Sequence, residues 1–334
     1  MTEGGERDDG EDAEEGLTYA EAGVDIEDSE AATAALVGAV SEQADTTEYA
    51  GLVDLGDRYL ALATDGVGTK LLVAEAVDDY STVGIDCVAM NVNDLVAAGV
   101  EPAAFVDYLA VDEPSERREA ELGEGLAAGA EEAGMALVGG ETAVMPEVVK
   151  GFDIAGTVAG LATQDDLFPG EAEEGDALVG FASSGIHSNG LTLAREAAKQ
   201  AGGYDEPYPY DGYETVGEAL LEPTRIYTHL LGAFREHGVH AAAHVTGGGW
   251  TNLERMGDYR YEIADPLPAQ PVFDYVQDAG DVSDEEMHRT FNMGTGFVVA
   301  LAEDDAESLA SETEGEVIGR VESGEGVEIR GLSL

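Results

Sequence analysis

Four glycine-containing stretches of this chain end hydrophobic runs with groups able to hold an anion or a metal: DGVGTK (65–70), GGETAVMP (139–146), SSGIHSNG (183–190) and HVTGGG (244–249). A strand that runs through a glycine loop into a helix can turn several backbone N–H groups toward one phosphate. One such loop says little, because glycine is common in turns; four in one chain point to an anionic ligand. Asp65, Asp94 and Glu141 add hard carboxylate oxygens of the kind that hold Mg²⁺ through few side chains and leave the rest of its shell to phosphate and water. Lys70 is one of only three lysines, with Lys150 and Lys199, so its charge asks for a partner. His187 and His244 each adjoin a glycine loop, where an imidazole can donate to an anionic substrate or transfer a proton near neutral pH. Either can equally be a hydrogen-bonded structural residue. Asn91, Asn93 and Asp94 fall within one turn of an otherwise apolar stretch, and Asp107 interrupts the apolar run AFVDYLAV (104–111). An exposed helix face for Asp94 and a strand edge for Asp107 are the plain alternatives. The patterns G-x-x-x-x-G-K-[ST] and G-x-G-x-x-G are absent, which disfavours a P-loop ATPase and a Rossmann dehydrogenase.

These loops need strands and helices to position them. Apolar runs predict strands over 58–63, 104–111, 135–138, 154–162, 177–182, 240–245, 296–302 and 316–321. Helical spacing predicts helices over 29–44 after Ser29, 83–98, 115–133 ending at Gly134, 191–201, one or two around Pro223 within 217–237, and one from Asn252 onward. Strands alternate with helices in both halves, so the class is α/β or α+β. The polar stretch TQDDLFPGEAEE (163–174) is the best boundary between two domains, 17–162 and 175–334. Residues 1–16 are low-complexity and acidic, a disordered tail by composition.

Composition narrows the function classes. Lysine plus arginine number 15 against 71 aspartate plus glutamate, a formal net charge of −56. Disorder is the usual reading of such a charge, but 44% of residues are hydrophobic and fall in periodic runs, so the chain is expected to fold. The reading that remains is a protein built for concentrated salt, a halophilic type; an acidic nucleic-acid mimic is the lesser alternative. No basic patch suggests nucleic-acid or anionic-membrane binding. The single Cys87 excludes an intrachain disulfide and a multi-cysteine zinc site. No apolar run approaches the roughly 20 residues that span a bilayer, and the acidic N-terminus is unlike a signal peptide, so a soluble cytoplasmic protein is expected.

Taken in order, LTYAEAGVDIE (17–27), TDGVGTKLLVAEA (64–76), GIDCVAMNVNDLVAAGVEPAAFVDYLA (84–110), VGGETAVMPE (138–147), GFDIAGTVAG (151–160), FASSGIHSNGLTLAR (181–195), LLEPTRIY (220–227), HVTGGGWTNL (244–253) and RTFNMGTGFVV (289–299) closely resemble the phosphoribosylformylglycinamidine cyclo-ligase (aminoimidazole ribonucleotide synthetase) family. The ordered set carries the resemblance, from about residue 17 to the C-terminus. It implies a two-domain α/β (α+β) fold and a homodimer in which N-terminal strands of two subunits form a shared barrel. It also implies the use of ATP and Mg²⁺ without a P-loop. The implied reaction converts formylglycinamidine ribonucleotide and ATP to aminoimidazole ribonucleotide, ADP and phosphate. One departure is the short segment 41–56, with Tyr49-Ala50-Gly51, where many bacterial members carry a longer glycine-rich stretch; the archaeal branch is similar to it here.

On that resemblance Lys70 is expected at the ATP phosphates and, with His187 and His244, in catalysis. Asp65, Gly66, Gly68, Thr69, Asn91, Asp107, Gly139, Gly140 and Thr142 are expected around ATP, with Mg²⁺ on Asp65, Asp94 and Glu141. Ser184, His187, Ser188, Asn189 and Thr246 with Gly247, Gly248 and Gly249 are expected around the substrate. Thiamine-monophosphate kinase, selenophosphate synthetase and the hydrogenase-maturation dehydratase are rivals with a related fold. Cys87 within GIDCVAMN and the C-terminal GLSL do not match the reactive cysteine or cysteine tail of the last two, and the kinase lacks the paired SSGIHSNG and HVTGGGWTNL. A non-catalytic nucleotide-binding protein is the reading outside enzymes.

The charge makes its own prediction. Repulsion among carboxylates reaches farther as the Debye length grows from about 3 Å at 1 M salt to about 10 Å at 0.1 M. The unfolding midpoint should therefore rise steadily with KCl. A midpoint unchanged between about 0.1 M and 2 M KCl would remove the halophilic reading.

Overall fold

The computed structural model describes residues 16–18, 45–47 and 49–334. The tail 1–16 (Gly16 apart) and the helix expected over 29–44 lie outside them.

The first sheet is built from 45–162. Strands β1 (Asp45–Thr46), β2 (Gly51–Asp54) and β3 (Tyr59–Gly66) precede a 3₁₀ turn over Gly68–Lys70 and two helices, α1 (Leu71–Val77) and α2 (Val83–Ala97). Then come β4 (Glu101–Val111), α3 (Glu116–Glu132), β5 (Ala136–Val144) and β6 (Phe152–Ala162). The strand order is β1-β2-β3-β6-β4-β5, antiparallel except for the parallel β4–β5 pair that α3 connects. Helix α3 starts as its sequence suggests: Ser115 caps the Arg118 N–H, and Glu119 reaches back to the Ser115 N–H at 2.9 Å.

Helix α2 covers the inner face of this sheet and is buried nearly all round. It crosses α3 at small residues: a Cβ on Gly84 would lie 2.4 Å from the Leu122 carbonyl oxygen. The outer face is left bare. Val53, Leu62, Val106, Tyr108 and Leu161 stand 41–46% exposed on it.

The second sheet follows, from β7 (Ala177–Ala182), α4 (Leu191–Gln200), α5 (Val216–Leu220), α6 (Leu231–Glu236), β8 (Ala241–His244) and β9 (Arg260–Ile263). It ends with α7 (Pro271–Gly280), α8 (Asp284–Thr290), β10 (Thr295–Leu301), α9 (Glu303–Glu312), β11 (Glu316–Glu322), β12 (Gly326–Ile329) and β13 (Leu332–Ser333). The order is β13-β12-β9-β11-β7-β10-β8. Both faces of its centre are covered. Phe181, Phe234, Phe297 and Leu309 pack on one side, and Trp250, Leu253, Met256, Ile263 and Ile318 on the other. That is why β10 reads TGFVVAL without alternation: every residue is buried.

Two expectations change. GGETAVMP is not a loop: residues 136–144 form one long strand, the exposed edge of the first sheet. The helix expected from Asn252 is a 3₁₀ stretch, Gly249–Met256, tightened by the left-handed glycines Gly248 and Gly249. Among the described residues no helix is long and apolar enough to cross a membrane.

Candidate active site

Helix α2 organises the site because a buried helix must pair every polar side chain it carries. Asn91 grips the end of β3. Its Oδ1 accepts the Asp65 N–H at 2.9 Å and its Nδ2 donates to the Asp65 carbonyl at 3.1 Å. This fixes where the Asp65 carboxylate stands. Asn93 grips the segment after Pro223 in the same manner, donating to the Arg225 carbonyl (2.8 Å) and accepting from the Tyr227 N–H (3.0 Å). One turn on, Asp94 Oδ1 lies 3.0 Å from His244 Nδ1 at the end of β8.

The tautomer of His244 follows. Its Nε2 faces the Asn93 amide nitrogen at 3.3 Å, and that nitrogen can only donate, so the ring proton sits on Nδ1 and points at Asp94. His244 is completely buried and has no nitrogen left over. Its expected catalytic role becomes orientation of Asp94.

His187 is likewise spoken for on one side. Its Nε2 accepts backbone N–H groups of Ser184 (3.1 Å) and Arg225 (3.5 Å), so its proton is on Nδ1, which has no protein partner. Burial, together with the positive charges of the site, holds its pKa well below the usual histidine value. It is therefore neutral and cannot meet an anion as a cation; what it offers is one buried N–H. Its backbone is left-handed, at φ 65°, a region few non-glycine residues enter, histidine more often than most.

Lys70 is the larger correction. Its side chain has no exposed surface, and its Nζ lies 2.9 Å from both carboxylate oxygens of Asp86 and 2.6 Å from the Glu222 carbonyl. The charge expected on ATP phosphates is held inside the protein, because the ammonium is enclosed by acceptors from α2 and the 222–227 segment. Ser188 and Ser184 also turn inward. Ser188 Oγ donates to Asp86 (3.1 Å) and Ser184 Oγ to the Pro223 carbonyl (2.5 Å).

The remaining expected residues divide into two groups. Gly68 and Thr69 face the 183–190 loop and the helix that follows it: Thr69 Oγ1 is 3.0 Å from Thr192 Oγ1, and a Cβ on Gly68 would lie 3.9 Å from the Ser188 carbonyl oxygen, whereas a Cβ on Gly66 would lie 3.4 Å from the Ile154 carbonyl oxygen of β6. Asn189 meets the fourth loop, where a Cβ on Gly247 would lie 3.2 Å from its Oδ1. Asn252 holds that loop, Thr246 through Gly249, by donating to the carbonyls of Gly247 (3.0 Å) and Gly249 (2.8 Å). So three of the four loops converge around α2. The second stretch, 139–146, does not. Gly139, Gly140, Glu141 and Thr142 sit on β5, three strands from β3, or roughly 14 Å across the ladder. Their one link to the site is Asp107, which shares a cross-sheet row with Asp65 and Gly156 and whose carboxylate lies where a Gly140 side chain would be.

Sequence reading missed Asp86, Thr224, Arg225 and Asn252. Asp86 gave the same signal as Asn91 and Asn93, a polar residue in an apolar helix. Arg225 lies in the quoted LLEPTRIY, and its guanidinium bridges the Ala182 carbonyl and Glu314 beside the 183–190 loop. Cys87 is buried in α2 and its thiol is held protonated by burial and surrounding carboxylates, which suits packing rather than chemistry.

Asp65 is the carboxylate poised for a cation. Burial, then the charge of Asp94, raises its pKa from 3.8 to about 6. Two carboxylates close enough for one to raise the pKa of the other could accept a divalent metal, although no group of three potential ligands forms among the described residues. Glu141 is not brought to the pair. A raised native pKa means that the folded chain holds the Asp65 proton more tightly than the unfolded chain. The stabilisation is complete below the unfolded value and is lost as pH rises through about 6, a swing on the order of 2–3 kcal/mol. In chelator-treated protein Asp65→Asn should raise the melting temperature at pH 7.5 and lose that advantage near pH 5. Mg²⁺ should stabilise the parent and not the variant. A lower midpoint for Asp65→Asn at pH 7.5 would show that Asp65 carries no buried charge.

Residues 47–162 match the family described as AIR synthase related protein, N-terminal domain, and residues 173–331 its C-terminal domain. A phosphoribosylformylglycinamidine cyclo-ligase of Methanosarcina acetivorans is 46% identical over 323 residues, covering 93% of this chain and 97% of its own. One of Methanococcoides burtonii is 46% identical over 332 residues, covering 96% and 99%. Among solved structures, AaThiL complexed with AMPPCP and TMP superposes with a TM-score of 0.66 at 19% identity, covering 93% of this chain and 96% of that one, which shows the shared fold. The chain belongs to the phosphoribosylformylglycinamidine cyclo-ligase family of AIR synthase related proteins.

Proposed function

We propose that this chain closes the imidazole ring of purine biosynthesis, converting formylglycinamidine ribonucleotide and ATP to aminoimidazole ribonucleotide, ADP and phosphate. The observation that carries the reading is the Asp65–Asp94 pair, held by Asn91 and His244 at the meeting of three glycine loops, in a chain 46% identical to named cyclo-ligases. The chemical problem is that ring closure must expel the formyl oxygen. Transfer of the γ-phosphoryl to that oxygen makes it a leaving group; an amidine nitrogen then bonds to the formyl carbon, the C–O bond breaks and phosphate departs. Asp65 and Asp94 would hold Mg²⁺, which supplies charge neutralisation at the triphosphate. Backbone N–H groups of 67–69 and 246–248 bind anionic oxygens, while His187, buried behind them, holds the 184 and 225 backbone in place through Nε2. Asn189, between the third and fourth loops, orients the substrate. Catalysis of this kind is positioning and charge stabilisation. With purified protein in high KCl, ADP release should depend on formylglycinamidine ribonucleotide and be absent with thiamine monophosphate or selenide. Turnover with either of those in its place would overturn the assignment.

The proposal includes a cytoplasmic homodimer. The bare outer face of the first sheet, with Val53, Leu62, Val106, Tyr108 and Leu161, supports a second copy closing over it, since contiguous exposed apolar patches of this kind mark interfaces. Sedimentation in high KCl should show a dimer for the parent chain. Val106→Asp should give a folded monomer; a variant that stays dimeric would place the interface elsewhere.

A further inference from the structure

One buried ionic cluster joins the two halves of the site. Lys70 and Asp86 have no exposed surface, Thr224 is 2% exposed and Ser188 7%. Asp86 Oδ1 accepts from four donors: Lys70 Nζ at 2.9 Å, Ser188 Oγ at 3.1 Å, the Thr224 N–H at 2.8 Å and Thr224 Oγ1 at 2.6 Å. Lys70 adds a bond to the Glu222 carbonyl. The donors come from three separate stretches: the turn after β3, the 183–190 loop and the 222–227 segment. The neighbouring residues on those stretches are the ones that line the site. Thr69 touches Thr192, while His187 accepts the N–H of Arg225, next to Thr224.

We propose that Asp86 is a positioning residue for the cyclisation: it fixes the 65–70 turn of the first domain and the 183–190 loop of the second at one spacing. It touches no ligand, being enclosed on every side. A buried ion pair is a poor means of adding stability, because apolar residues of similar size often do as well or better. What charged hydrogen bonds supply is direction, and five contacts on one carboxylate leave the three stretches a single arrangement. The substrate and the nucleotide are bound by loops on opposite sides of this joint. An error of about 1 Å between them can cost on the order of 100-fold in rate.

The test separates geometry from stability. Asp86→Asn alone leaves Lys70 buried without its counter-charge and should lower the melting temperature and kcat together. Pairing it with Lys70→Met removes both charges. The double variant should recover the melting temperature to within a few degrees of the parent, yet keep kcat down by about 100-fold, with KM for ATP within about threefold. Recovery of kcat along with stability would reduce Asp86 to a structural residue. A loss confined to KM for ATP would return Lys70 to the phosphates. Should the double variant fail to fold, Thr224→Val removes one donor without changing shape and Thr224→Ser keeps it; kcat should fall about tenfold in the first and hold in the second. Equal kcat in both would overturn the proposal. The kinetic arm rests on the cyclo-ligase reading. If the parent itself gives no cyclised product, that reading fails, and the joint is read by amide hydrogen exchange instead. Thr224→Val should then speed exchange in both 184–190 and 66–70, whereas an effect confined to 222–226 would refute a joint.

Discussion

A helix enclosed nearly all round has little water to fall back on, and α2 must satisfy within the protein almost every polar group it carries. It carries four side chains that an apolar helix would not need, and each reaches a different part of the chain. Asn91 holds β3, Asn93 holds 225–227, Asp94 holds His244, and Asp86 holds Lys70, Ser188 and Thr224. Since Asp86 to Asp94 spans about two turns, or roughly 12 Å of helix, these contacts lay out the site along one rigid ruler. The loops are long in glycine and could rest in many ways; the ruler selects one. Packing of α2 against the sheet and α3 through Gly84 then becomes a condition of function, because a shift of the helix would carry all four grips with it.

The charge of the chain sharpens the same point. With 15 cationic side chains against 71 acids, a positive group is scarce. Most described arginines lie in surface pairs with Asp or Glu, such as Arg117 with Glu121 or Arg289 with Glu285. Such pairs contribute about 0–1 kcal/mol each and less in concentrated salt. Among the described lysines and arginines only Lys70 is wholly withdrawn from water, and its charge is matched by Asp86. The Asp65–Asp94 pair has no such match. Among the described residues the one enclosed cation thus stands against Asp86, while burial raises the pKa of Asp65 with no cationic side chain paired to it.

Much of this was legible in the sequence, and the residues show why. The strand–loop–helix alternation and the two halves were readable because period and glycine punctuation are local properties. Asn91, Asn93 and Asp94 stood out because polar groups in an apolar run need a reason, and Asp65 because it opens a glycine loop. Lys70 was singled out correctly and given the wrong partner: its scarcity was visible, but the residue that answers it, Asp86, lies 16 positions away on another element, and side-chain direction is a tertiary fact. GGETAVMP was read as a loop because its two glycines outweighed the β-strand that continues through them. In an edge strand, glycine costs little, and at Gly140 the Asp107 carboxylate occupies the space a side chain would need.

The two histidines show how far burial decides chemistry. Both stand beside glycine loops, where an imidazolium would be the natural counter-charge for phosphate. Both are instead enclosed, His187 at 2% exposure and His244 at none, and each has its tautomer set by a neighbour that can act in only one sense. Backbone N–H groups oblige His187 Nε2 to accept; an amide nitrogen obliges His244 Nε2 to accept. Neither ring has a second basic nitrogen facing a ligand. In the proposed reaction, charge that develops on a transferred phosphoryl group would be met by the fixed dipoles of the loops and by a cation that Asp65 and Asp94 would hold. A site assembled from a buried helix has this consequence built in: the groups it holds most firmly are the ones it has already neutralised, and the chemistry falls to what the loops leave unpaired.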